Sequence, residues 1–157
     1  SLKGLQAIIK PYPYFHWQNL HSILHALVFP YYKSEDYYSA VYQGVIKYKN
    51  EVKAKTGSSL TDRALLENIF SLSDPSLSVT KKFKKQDGSD FEIETIKNIT
   101  EGHRSLVIAM WLAFRCPISH EAVEDLKNSG LYSEQDCLDA LGLLSHLFRR
   151  LDNSELT

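Results

Sequence analysis

The segment "EIETIKNITEGHRSLVIAMWLAF", residues 92–114, constrains the fold most. Ile93, Ile96, Ile99, His103, Leu106, Val107, Met110 and Phe114 recur near three- and four-residue steps, the period of an amphipathic α-helix. Its last two turns, "LVIAMWLAF" (106–114), are apolar nearly all round. Such a helix must be covered on several sides, by the rest of its own domain or by a second subunit. The stretch falls well short of the ~20 apolar residues that span a bilayer, so no membrane association is expected.

Three further segments carry the same helical period. "HWQNLHSILHALVF" (16–29) places Leu20, Ile23, Leu24, Leu27 and Val28 on one face, and Pro30 is expected to stop it. "EDYYSAVYQGVIKYKNEVKAK" (35–55) repeats Val41, Val45, Tyr48 and Val52, with Ser34 as a plausible N-cap and Gly57 just past its end. "SEQDCLDALGLLSHLFRRLDN" (133–153) opens with Ser133 and Asp136 at capping-box spacing and carries a leucine stripe from Leu138 to Leu151. A shorter helix is expected over 60–71, capped by Thr61 or Ser59.

The region 71–93 is the least helical. Asp74-Pro75 and Asp87-Gly88 are turn signals, and residues 78–83 and 90–93 read as the strands of a small β-hairpin. The predicted fold is all-α: an antiparallel up-and-down bundle of four main helices plus a shorter one, with that hairpin near 78–93. At 157 residues, 43% of them apolar, the chain has the length of one domain and the means to bury a core. Residues 1–15, broken by Pro11 and Pro13, read as a lead-in segment, and 16–153 as a single helical domain. The chain opens with Ser1 rather than methionine, which reads as a domain excised from something longer.

Charge and cysteine content narrow the function classes. A formal net charge of −1 gives no global attraction for nucleic acid, so any RNA contact needs a local positive field. The run "KKFKK" supplies one candidate, Lys81, Lys82, Lys84 and Lys85, although a solvated lysine loop is the simpler account of it. Cys116 and Cys137 form no CxxC pair and no disulfide framework, which suits a reducing, cytoplasmic setting. The histidines show no metal-ligand spacing, and no phosphate loop or nucleophile elbow is present. No metal and no small-molecule cofactor is expected. Tyr37, Tyr38, Tyr42 and Tyr48 fit core and rim packing, or alternatively a base-stacking surface.

The chemistry-bearing stretch is "LAFRCPISHE" (112–121). Pro117 has no N–H and disfavours helical geometry at Cys116, so the long helix should end or kink there, with Pro117 opening the next turn. Arg115 then sits at a helix C-terminus and His120 one turn further, flanked by Ser119 and Glu121. A permanently cationic fork that grips phosphate oxygens, beside a group titrating near neutrality, suits RNA cleavage by the RNA's own 2′-hydroxyl. One such pair is a thin set; two copies across a two-fold axis would supply two of each. The spacing alone is equally that of a capping arginine and an unremarkable histidine.

The Arg115-Cys116-Pro117-Ile118-Ser119-His120-Glu121 stretch, after a long apolar helix in a helical bundle, resembles the Arg-x(4–6)-His motif of the HEPN superfamily. More narrowly the chain resembles its Ymh-type branch, found in prophages and bacterial defence loci. Outside the motif the resemblance rests on "YYSAVYQGVIKYKNEVKAKTG", "ALLENIFS", the Gly102-containing helix and "SEQDCLDALGLLSHLFRRLD". It implies a homodimeric, metal-independent endoribonuclease, often a toxin or abortive-infection effector. His120 would be the general acid/base and Arg115 the phosphate clamp. That branch has Asn after the arginine where this chain has Cys116, a poor cap and weak donor. The resemblance therefore also admits a catalytically silent module that dimerises and binds RNA or protein.

Overall fold

The computed structural model describes residues 17–157. The expectations for the lead-in segment 1–15 and for His16 lie outside the described residues. The described chain is an all-α bundle of six α-helices with one two-residue strand pair.

Helix α1 (Ser22–Lys33) begins at His21, whose Nδ1 accepts the Ile23 N–H at 3.2 Å. It does not stop at Pro30 as the sequence suggests, but runs one turn beyond. Pro30 and Ala26, the residue whose carbonyl loses its helix partner, both lie on the exposed side of the helix, where that loss costs least. Ser34 consequently ends α1 instead of starting the next helix: its N–H bonds back to the Pro30 carbonyl. The chain reverses at Glu35, in the left-handed region at φ 62°. The true cap of α2 (Tyr37–Thr56) is Asp36, whose Oδ1 accepts the Ser39 N–H at 3.1 Å. Gly57, at φ 66°, ends α2 as expected.

Helix α2 is the centre of the bundle. It packs against α1, against α3 (Asp62–Ile69), and against the end of α4 (Ile93–Met110), α5 (Val123–Asn128) and α6 (Glu134–Asp152). Its apolar stripe Val41, Val45, Tyr48 and Val52 is fully buried. Gly44 permits the tightest approach: a Cβ there would stand 2.7 Å from Leu144 Cδ1 and 3.3 Å from Leu24 Cδ2.

Cross-helix contacts give the directions. Tyr38 and Tyr48 of α2 meet Tyr132, just ahead of α6, and Phe148 within it, in that order, so α2 and α6 are parallel. The same tyrosines reach Phe114 and His103 in reverse order, so α4 is antiparallel to α2. His21 meets Asp152 and Tyr32 meets Glu134, so α1 opposes α6. The four main helices therefore run up, down, up, down. The Ser133–Asp136 capping box of α6 is present in both directions.

Two elements depart from the sequence reading. The antiparallel strand pair joins β1 (Leu77–Ser78) to β2 (Glu155–Leu156), not to residues 90–93. The Asp87-Gly88 turn forms, with Lys85 N–H to Ser89 O at 2.8 Å, but its arms do not pair as strands. Leu77 is buried under the bundle, and the C-terminus returns to cover its edge. Helix α5 was not anticipated: it is six residues long, with no buried residue and no side-chain cap, so it lacks the periodicity that marks the others.

One polar group lies deep among these helices. His103 is 5% exposed, edge-on to the Phe70 ring at 4.7 Å, with its Nε2 3.4 Å from the Tyr48 hydroxyl. Burial, with smaller contributions from His146 and Arg150, lowers its pKa from 6.5 to about 4. Between those values the unfolded chain binds a proton that the folded chain refuses. Stability is therefore complete above the unfolded pKa and falls as pH drops from 6.5 toward 4, by on the order of 3 kcal/mol from this group. His103→Gln, which keeps a hydrogen-bonding group but cannot titrate, should flatten that slope in urea-unfolding midpoints. A slope as steep as wild type would locate the acid sensitivity elsewhere.

Candidate active site at the helix break

Helix α4 does not simply stop at Met110. It widens into a π turn, Trp111–Arg115, closed by the Cys116 N–H on the Trp111 carbonyl at 3.2 Å. Such insertions re-aim the side chains that follow them. Here Trp111 stays buried while Leu112 and Ala113 face outward. Pro117 then opens a 3-10 turn, Pro117–Ser119, from the helix-opening position that tolerates its missing N–H.

The last carbonyls of a helix have no partners within it. Two tyrosines supply them here. The Tyr38 hydroxyl donates to Phe114 O at 2.5 Å, and the Tyr132 hydroxyl donates to Ala113 O at 3.2 Å. Their rings pack at 4.9 Å, and Tyr132 also packs on Phe114 at 5.6 Å. Burial pushes the Tyr38 pKa up, Tyr132 and Tyr42 add to this, and the Arg115 charge and the Ile118 backbone oppose it. The break is thus braced from α2 and from the segment before α6.

On this brace sits Arg115. Its Nη1 donates to Ser119 Oγ at 3.3 Å, and its guanidinium lies 5.6 Å from the centre of the Trp111 ring. Among the described residues no carboxylate forms an ion pair with it. His120 follows Ser119 directly; its N–H bonds to Pro117 O at 3.2 Å and its side chain is exposed. Arg115, Ser119 and His120 therefore share one turn. Glu121 is exposed and makes no ion pair with the arginine. Cys116 offers no side-chain cap and packs instead against the core. The turn thus presents a guanidinium fork without a carboxylate partner, which can engage an anion, and an exposed histidine five positions on.

The chain from residue 18 to 151 matches one protein family, described as a protein of unknown function, Hypoth_Ymh. The chain belongs to the Hypoth_Ymh family. No curated protein and no solved structure matches it.

In this Hypoth_Ymh chain the lysine run stands apart from the break. Lys81 pairs with Glu155 at 3.8 Å, Lys82 donates to Asn153 Oδ1 at 2.9 Å, Lys84 pairs with Asp90, and Lys85 pairs with Glu92 at 2.8 Å. Each lysine has a partner within the loop or at the C-terminus, the arrangement of a solvated, ion-paired loop. No three His, Cys, Asp or Glu side chains converge as a metal site among the described residues. Among the described residues no helix is long and apolar enough to cross a membrane.

Tyr132, Tyr38 and Trp111 support the site without having been singled out for that role. Their only sequence signal is aromatic character, which core packing explains just as well. Tyr38→Phe removes the hydroxyl but keeps the ring, leaving a helix-end carbonyl without its partner inside the core. It should cost about 1–2 kcal/mol in chemical denaturation, whereas Tyr132→Phe, nearer to water, should cost under about 1 kcal/mol. Equal losses would mean that the two tyrosines do not differ as braces.

Proposed function

We propose that this domain is a HEPN-type, metal-independent endoribonuclease that works as a homodimer, in a cytoplasmic toxin or phage-defence setting. The observation that carries this reading is the turn at 115–120: an arginine without a carboxylate partner beside an exposed histidine, on a rigid, tyrosine-braced helix end. This arginine is held at Ser119 rather than on a carboxylate.

The chemistry follows from the groups. A base accepts the proton of the RNA 2′-hydroxyl as that oxygen attacks the adjacent phosphorus. The P–O5′ bond breaks, an acid protonates the departing 5′-oxygen, and a 2′,3′-cyclic phosphate remains. His120 serves as base in one copy and, as its protonated form, as acid in the second copy. Arg115 holds the phosphate oxygens and offsets the charge that builds on them.

The second copy has a surface on which to dock. Leu106 is 38% exposed and Leu112 42% exposed, with Ala109 and Ala113 exposed beside them. This apolar strip leads directly to Arg115. A two-fold contact here brings the two turns together, since an isologous interface uses the same patch from both partners.

The second reading, a catalytically silent module, is favoured by one observation: the Cys116 side chain contributes no hydrogen bond to the turn that follows it. An RNA digest in EDTA separates the two. Wild type should yield fragments ending in 2′,3′-cyclic phosphate, with His120→Ala and Arg115→Ala each reducing the rate by roughly 10²-fold or more. Cys116→Asn should preserve or raise it. Leu106→Glu should give a folded monomer by sedimentation that no longer cleaves. No cleavage by folded dimeric wild type, together with RNA retention that weakens with salt, would establish the silent module instead.

A further inference from the structure

A second cationic place lies at the other end of the bundle. Arg149 and Arg150 are exposed in the last turn of α6, and neither has a carboxylate ion-pair partner among the described residues. Arginines at a helix C-terminus complement its dipole, which by itself explains their presence. What the dipole does not explain is the cleft they face. His146, Arg149, Arg150 and Asn153 line a hollow of about 310 Å³ whose remaining wall is the Phe83 ring. Phe83 and Arg150 are shared with an adjoining hollow of about 270 Å³, lined otherwise by Val79, Thr80, Phe91 and Ile99. The site is thus one amphiphilic groove, cationic at one end and apolar and aromatic at the other.

The surrounding charges sharpen this. The lysines that flank Phe83 are engaged: Lys82 on Asn153, and Lys84 on Asp90. The two arginines are not. Burial and both arginines lower the His146 pKa, so near neutrality its ring offers hydrogen bonds rather than charge. Phe83 is 38% exposed in the middle of a lysine run, where a solvated loop has no use for an aromatic ring.

We propose that this groove binds a nucleoside phosphate, its base against Phe83 and Phe91 and its phosphate on Arg149 and Arg150. The ligand needs a flat, apolar-faced ring joined to a multivalent anion, and each half of the groove answers one of those parts. Each hollow is near the lower end of the range for small-molecule pockets, which suits a single nucleotide better than a strand. The site lies far from the helix break. Ile99 of the groove and Met110, the last residue of α4, are eleven positions apart, roughly 16 Å at the α-helical rise, and Arg115 lies at the end of the π turn beyond. The proposal is therefore independent of whether Arg115 and His120 cleave RNA.

The test is calorimetric titration of the whole domain with AMP and ADP, with inorganic pyrophosphate, and with a short single-stranded RNA that has no terminal phosphate. Saturable one-to-one binding of ADP is expected, with pyrophosphate weaker because it has nothing to stack. Arg149→Ala/Arg150→Ala should weaken ADP and pyrophosphate alike, by roughly tenfold or more. Phe83→Ala should weaken ADP roughly tenfold and leave pyrophosphate unchanged, because only the ring contact is lost. Arg115→Ala should leave the ADP titration as in wild type, since Arg115 lies outside the groove. All the substituted residues are exposed or half-buried, and circular dichroism checks that the variants fold. ADP binding that survives the double arginine variant, or that falls equally in Arg115→Ala, would overturn the assignment. So would an RNA that binds while mononucleotides do not.

Discussion

Everything in this bundle is arranged around the burial of one helix. Helix α2 loses access to water along Val41, Val45, Tyr48 and Val52. Burying side chains of that size is worth about 1.5–3 kcal/mol each, so the helix is stable only while its neighbours stay in place. Gly44 sets how close those neighbours come, because Leu144 and Leu24 occupy the space where a side chain would be. The up-down-up-down order follows from that geometry. A short link at Ser34–Asp36 forces α1 back along α2, and the long connections before α4 and α6 carry the chain to the other faces.

A helix buried on several sides can still carry polar groups, provided that each has a partner. α2 places two tyrosines in the core, and both hydroxyls are engaged, Tyr38 on Phe114 O and Tyr48 on His103. No buried side-chain nitrogen or oxygen lacks a partner among the described residues. The Tyr38 bond does more than satisfy itself. It ties the centre of the bundle to the place where helix α4 gives way to the π turn. The orientation of Arg115 is therefore coupled to core packing, which is the support a reactive group on a helix end requires.

The parts of the fold readable from the sequence are those where a strong local rule coincides with burial. The period of Val41 to Val52, the Ser133–Asp136 box, the Gly57 stop and the break at Cys116-Pro117 all belong to this class. Where a local rule competes with tertiary contact, the reading slipped. Pro30 removes one helix hydrogen bond and crowds the turn before it, but Ala26 and Pro30 lie on the exposed face, where the cost of a lost partner is lower. Residues 77–78 carry strand character, but the choice of partner was made by Leu77 burying itself and by the returning C-terminus, neither of which is visible locally. Of the candidate site, the spacing between Arg115 and His120 was legible. The π turn that orients it, and the Tyr38 and Tyr132 donors separated from it in sequence by 76 and 19 positions, were not.

The contrast between the chain's lysines and its arginines bears on where function lies. Lysines 81, 82, 84 and 85 look the most basic in sequence, yet in space each is matched by a carboxylate or an amide. Arg115 and the adjacent pair Arg149 and Arg150 lie far apart in sequence and carry no such match. Exposed ion pairs stabilise a fold little. The carboxylates on Lys81, Lys84 and Lys85 do offset the field of those lysines, whereas the neutral amide on Lys82 only occupies its donors. An unmatched guanidinium keeps its field and its fixed fork of donors. The arginine at the break adds a histidine within one turn, and the arginines at the far end add two phenylalanine rings. On the two proposals the ends of the bundle would serve different tasks, because the groups that accompany the arginines differ in kind, an imidazole at one end and phenyl rings at the other.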